Sequence, residues 1–150
     1  MAAMKPTPDR LVLANYPSRV DVPSRFSDVD MFRHLNNVAI GQFYEEVRFA
    51  LTAQAREALP KGGGGRIMVV NVDTAFLREG HYPGLVTVGS TVVHRGRKSY
   101  VLGQALFQDG VCFSTADTTL VYTENGAPAD LPAALNPVLE GLKPASASAG

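Results

Sequence analysis

The chain has 150 residues, 14 of them basic and 14 acidic, so its formal net charge is zero. That length suits a single domain able to bury roughly two thirds of its unfolded surface, and the neutral balance removes the electrostatic case for nucleic acid or a membrane surface as main partner. The lone cysteine, Cys112, excludes an internal disulfide, and neither the opening MAAMKPTPDR nor any later stretch carries the apolar run of a signal peptide or a bilayer span; the expectation is a soluble, cytoplasmic protein that recognises a small molecule or another protein.

In chain order, residues 1–18 carry three prolines and no sustained periodicity, and are expected to form a flexible or loosely attached arm. Arg19–Phe26 reads as a first strand, confined by Pro23 to an edge or an irregular stretch. From Val38 apolar side chains recur at Ile40, Phe43, Tyr44, Val47, Ala50, Leu51 and Ala58, opposite Gln42, Glu45, Glu46, Arg48, Thr52, Arg56 and Glu57. This spacing predicts one amphipathic helix about 30 Å long. The run Lys61-Gly62-Gly63-Gly64-Gly65 that follows is a connector, because a phosphate cradle needs its Lys after the glycines and here the Lys precedes them.

From Arg66 the period becomes two. Arg66–Glu79 alternates Met68, Val70, Val72, Thr74 and Phe76 against Ile67, Val69, Asn71, Asp73 and Ala75, which predicts a strand with one face on a core. Three more strands are expected at Leu85–His94, Ser99–Phe107 and Val111–Thr123, separated by the basic connection Arg95-Gly96-Arg97-Lys98 and the hairpin signal Gln108-Asp109-Gly110. One strand, one long helix and four antiparallel strands argue for an α+β domain over residues 19–124, its helix lying on a curved sheet. Residues 125–150 form an extension in which Leu131–Leu142 is expected to make a short surface helix and the last seven or so residues to be disordered.

The chemistry concentrates just before the helix, at Asp28-Val29-Asp30-Met31-Phe32-Arg33-His34-Leu35-Asn36-Asn37. Asn36 or Asn37 suits a helix cap, and an aspartate in such a turn commonly bonds its own backbone. Beside them the free N–H groups and positive end of the helix make a place to hold a carbonyl oxygen on which charge develops. A metal is not expected: His34, His81, His94 and Cys112 lack zinc spacing, and Phe32 and Arg33 stand where a calcium loop needs an oxygen ligand and a glycine. Ser90 and Ser114 lie in strand runs, outside any nucleophile elbow.

The string D-V-D-x-x-x-H-L-N-N followed by Y-E-E-V-R resembles the hotdog-fold thioesterases of the 4-hydroxybenzoyl-CoA thioesterase and acyl-ACP thioesterase group, most closely over Arg25–Arg48. The resemblance implies a sheet of about five strands wrapped round a central helix, and protomers joined as dimers or tetramers. It further implies hydrolysis of an acyl thioester without metal or redox cofactor, coenzyme A entering as part of the substrate. Asp30 would then attack the thioester carbonyl or activate a water, and the main chain of Asn37 would polarise that carbonyl. His34 stands at the motif's histidine, either catalytic or holding the loop; the Asn that acyl-ACP enzymes place two residues after the Asp is Phe32 here. Arg95, Arg97 and Lys98 are either solvated or paired with the phosphates of coenzyme A. Tyr44, like Phe43, is either a core residue or a wall of the acyl tunnel, and Glu45 and Glu46 fall on the polar face in structural roles. Two other readings stay open: a non-catalytic acyl-thioester binder, which the Phe32 replacement keeps alive, and a hydratase or dehydratase of the same fold.

Overall fold

In the computed structural model, which describes residues 5–144, the helical stripe becomes α1, Asn37–Ala58. Asn36 caps it, its side-chain oxygen accepting the Ala39 N–H at 2.8 Å. Ala39, Ile40, Phe43, Tyr44 and Val47 are buried as the pattern requires, but Thr52 is buried and Ala50 exposed, the reverse of expectation. The buried face continues at Thr52, Ala55 and Leu59, spaced three and four residues apart, which brackets a turn of 3.6 residues. Thr52 satisfies its hydroxyl locally by donating to the Arg48 carbonyl at 2.8 Å.

Six strands make one antiparallel sheet: β1 (Ser18–Pro23), β2 (Gly65–Phe76), β3 (Leu85–Arg95), β4 (Ser99–Gln108), β5 (Val111–Glu124) and the short β6 (Ala127–Pro128). Their order is β1-β3-β4-β5-β2, with β6 also pairing β5. The β4–β5 hairpin turns through Asp109 and Gly110, both at positive φ (51° and 76°), as a two-residue turn between right-twisted strands demands. This is the α+β arrangement read from the sequence, with α1 against the curved sheet. Its first half packs on Val86, Val88, Leu106, Phe113 and Ala116; Ala55 and Leu59 at its far end pack among Tyr100, Leu102, Leu120 and Tyr122. Between these apolar clusters lie buried polar residues: Gln104 donates to the Ser90 hydroxyl (3.1 Å) and the Tyr44 carbonyl (3.4 Å), and Arg48 donates to Thr118 (3.3 Å).

Three segments differ from expectation. The arm, expected to be loose, is anchored on the sheet at Tyr16 and Arg10, though most of its other described residues are exposed. Tyr16 is buried edge-on against Phe107, ring centroids 5.9 Å apart, and Arg10 pairs with Asp117 at 2.7 Å. Small residues make room for it, since a Cβ at Gly89 would stand 2.7 Å from the Tyr16 ring. The expected surface helix of the extension is a 3-10 turn, Ala133–Leu135, leading into α2, Asn136–Gly141. Leu135 and Leu139 are buried in the second cluster, so the segment seals that end of the core; the residues expected to be disordered lie, from 145 on, outside the described part. Finally, β2 buries neither face as a strand on a core would. Ile67 is its one buried residue while Met68, Val69, Val70, Val72 and Phe76 are exposed, because β2 is an edge strand paired only with β5 and its register shifts between Val69 and Asn71.

Candidate active site

Two aspartates two residues apart take opposite roles after β1. Asp28 ends a 3-10 turn, Phe26–Asp28, and is buried; its carboxylate accepts the Arg25 backbone N–H (2.8 Å) and guanidinium (2.9 Å), and its carbonyl accepts the Asn36 N–H (2.9 Å). It ties together the two ends of the loop. Asp30 is exposed, and its Oδ1 accepts the N–H groups of Phe32 (2.9 Å) and His34 (3.1 Å) while its own N–H donates to the His34 carbonyl at 2.9 Å. Oδ2 meets no protein donor among the described residues.

At the helix start Asn36, not Asn37, supplies the side-chain cap, so Asn37 offers only the main-chain N–H of the first helical residue. Asp30 and Asn37 line one cavity of about 650 Å³ together with Arg25, Val38 and Gln42. A second, of about 660 Å³, shares Arg25, Asp28, Ala39 and Gln42 with the first and extends past Phe43 to Glu46 and Phe49, facing Val22 and Pro23 of β1. Together they form an open trough along the seam between the edge of β1 and the first turns of α1. A carboxylate with one oxygen pinned and one free, beside unpaired amides at the positive end of a helix, can attack a carbonyl carbon or take a proton from water while those amides hold the carbonyl oxygen.

The other residues singled out in the sequence lie elsewhere. His34 turns from the trough: its Nε2 is 3.0 Å from Glu79 Oε2 and its ring meets His81 edge-on, centroids 5.4 Å apart. Tyr44 is fully buried, its hydroxyl donating to Ser114 Oγ at 2.7 Å, and burial pushes the phenol well above its ordinary pKa. Phe43, not Tyr44, borders the trough. Arg95 donates to Asn136 and Arg97 pairs with Asp130 at 3.1 Å, so the two arginines of the basic turn sit against the C-terminal segment, while the Lys98 carbonyl accepts the Tyr122 N–H of β5. Tyr100, paired with Arg95, packs with Ala55 and Leu59, so this turn lies near the far end of α1 from Asp30. Arg25 and Phe49 were not anticipated as lining residues; the sequence signal for Arg25 was its i,i+3 spacing to Asp28, and for Phe49 an aromatic off the apolar stripe. Glu79, 45 positions from His34, had none.

Among the described residues no helix is long and apolar enough to cross a membrane, and no group of three or more His, Cys, Asp or Glu is placed to hold a metal ion. The model of the thioesterase-like superfamily matches residues 24–139. No curated protein matches the chain. Among solved structures, a thioesterase from Thermus thermophilus complexed with coenzyme A and Zn is 27% identical with TM-score 0.70, covering 86% of this chain and 96% of its own. A protein from Pseudomonas aeruginosa strain PAO1 is 21% identical with TM-score 0.76, covering 90% of this chain and 97% of its own. A 1,4-dihydroxy-2-naphthoyl-CoA thioesterase from Synechocystis is 13% identical with TM-score 0.69, covering 81% and 93%. The last two likenesses show the fold, which is the hotdog arrangement of one long helix and a curved antiparallel sheet.

Proposed function

This chain belongs to the thioesterase-like superfamily, and on that premise we propose that it hydrolyses an acyl-CoA thioester with Asp30 as the reacting carboxylate. The carrying observation is that Asp30, one oxygen free, and the amide end of α1 line the same cavity. A thioester in the trough would place its carbonyl oxygen on the free N–H groups of Asn37 and Val38. Asp30 then either adds to the carbonyl carbon, expelling the thiolate and leaving an anhydride that water opens, or removes a proton from a water that adds in its place. A thiolate is a good leaving group, so the main cost left is the oxyanion charge, which the helix end offsets. Coenzyme A as the thiol draws support from the Thermus relative bound to it. The products are a carboxylic acid and free thiol, and we place the reaction in the cytoplasm on composition alone.

A second copy of the chain is part of this reading. The exposed apolar residues of β2 lie on an unpaired sheet edge, the kind of surface that another strand covers. Because Arg95, Arg97 and Lys98 stand far from Asp30 in one protomer, their proposed contact with coenzyme A phosphates would cross the subunit boundary.

The test is thiol release from a panel of acyl-CoA esters. Asp30→Asn and Asp30→Ala should each lose at least about a hundredfold in kcat with KM little changed. Binding without turnover by the wild type would instead make the chain an acyl-thioester binder, and rates equal to wild type in both variants would remove Asp30 from the chemistry.

A further inference from the structure

The turn that carries the reacting carboxylate has almost no packing of its own. Residues 30 to 33 are all exposed, Met31 by 88%, and Arg33 lies in the left-handed region at φ 64°. Order in such a segment has to come from hydrogen bonds. One set closes the turn on itself: the His34 N–H donates to Asp30 Oδ1 and the His34 carbonyl accepts the Asp30 N–H. The His34 peptide therefore clasps Asp30 from both sides.

A second set fastens the turn to the strap between β2 and β3. The Leu35 N–H donates to the Gly80 carbonyl at 2.8 Å, and His34 and His81 form an isolated β-bridge. The strap is held firmly. A Cβ at Gly80 would come within 2.8 Å of both Leu35 and Phe113, the main chain of His81 exchanges two hydrogen bonds of 2.8 Å with the Gln108 amide, and the Leu77 and Arg78 N–H groups both donate to the Phe113 carbonyl. From the turn to this frame, the side-chain polar contact among the described residues is His34 Nε2 to Glu79 Oε2, at 3.0 Å.

We infer that Glu79 is a positioning residue for Asp30: by holding the His34 ring it fixes the peptide that clasps the carboxylate, and so sets where the free Asp30 oxygen stands in the trough. His34 acts through the same link, not by exchanging a proton with substrate. This rests on the assignment of Asp30 above and adds to it the group that keeps Asp30 in place. An exposed pair of this kind adds little to global stability, whereas a small displacement of a reacting group costs rate heavily.

The experiment uses the full chain and two readouts. The first needs no substrate: amide hydrogen exchange at Phe32 and His34, whose N–H groups bind Asp30, should quicken about tenfold in Glu79→Ala, with the melting temperature nearly unchanged. The second is kinetic. Glu79→Ala and His34→Ala should each lower kcat about tenfold with KM within about twofold, and the double variant should be no worse than either alone, as for two ends of one link. His34→Gln, whose side-chain amide still reaches Glu79, should recover most of the rate. Unchanged exchange in Glu79→Ala overturns the inference whatever the activity, as do additive losses in the double variant. It also falls if Glu79→Ala is as fast as wild type while His34→Gln is as slow as His34→Ala, which makes the imidazole itself the reacting group. If Asp30→Asn retains full activity, the assignment of Asp30 as the reacting carboxylate fails alone, and the exchange readout still decides the Glu79–His34 link.

Discussion

The two ends of α1 are finished in opposite ways. At its C-terminal end Leu59 runs into a closed cluster, and Leu135 and Leu139 from the extension complete it, 0% and 2% exposed. At its N-terminal end the chain leaves Met31, Phe32 and Val38 in solvent and opens a trough beside Asp30. One helix thus carries a sealed end that holds the fold and an open end free for chemistry, so damage at one should not read as damage at the other.

The largest expected effect breaks the sealed end. Leu135→Ala should cost about 2–5 kcal/mol, the range for emptying a buried leucine site, seen as a lower melting temperature or denaturant midpoint while the folded fraction keeps its kcat. Asp30→Asn gives the mirror result: the hundredfold loss in turnover equals about 2.7 kcal/mol of barrier, with little change in melting temperature, because the side chain is exposed. The edge of β2 tests whether the open end is completed by another copy. Val72→Lys should loosen self-association at least about tenfold, or about 1.4 kcal/mol, in sedimentation at micromolar protein, and activity should fall with dimer content; unchanged sedimentation sinks the β2 interface. The smallest effect is nil near neutrality and grows only in alkali. Burial in the sealed end pushes Tyr100 from 10.0 up to about 12. Below the unfolded value both states are protonated and nothing changes; above it the unfolded chain ionises first, so stability falls between about pH 10 and about 12. Tyr100→Phe should flatten that part of the alkaline denaturation curve.

The sealed end was the harder one to read in advance. Leu131–Leu142 had a helical look, but nothing local says that Leu135 and Leu139 face a cluster built from Tyr100, Leu120 and Tyr122. The arm hid its attachment in the same manner, since Tyr16 meets Gly89 and Phe107, whose smallness or bulk carries no address. The strand pattern of β2 was legible, yet which face is covered depends on its place at the sheet edge, a property of the whole topology. By contrast α1, the succession of five strands along the chain and the β4–β5 turn follow from period and turn chemistry, and each appeared within a few residues of its expected limits. At the open end the resemblance alone set Asp30 apart from Asp28; as side chains the two are chemically identical until folding buries one beside Arg25 and leaves the other a free oxygen. His34 was visible as a residue, but its partner Glu79 was not.

The buried polar residues between the two apolar clusters bear on where that open end stands. Greasy surfaces adhere almost equally well at many offsets, so a helix lying on hydrocarbon alone has no preferred height or rotation. Gln104 removes that freedom by donating to Ser90 on the neighbouring strand and to the carbonyl of Tyr44, and Arg48 does the same through Thr118. These bonds work like the detent of a sliding bolt, satisfied at one setting and broken at the next. They fix the elevation at which α1 emerges, and with it the distance from its first amides to the acid that waits beside them.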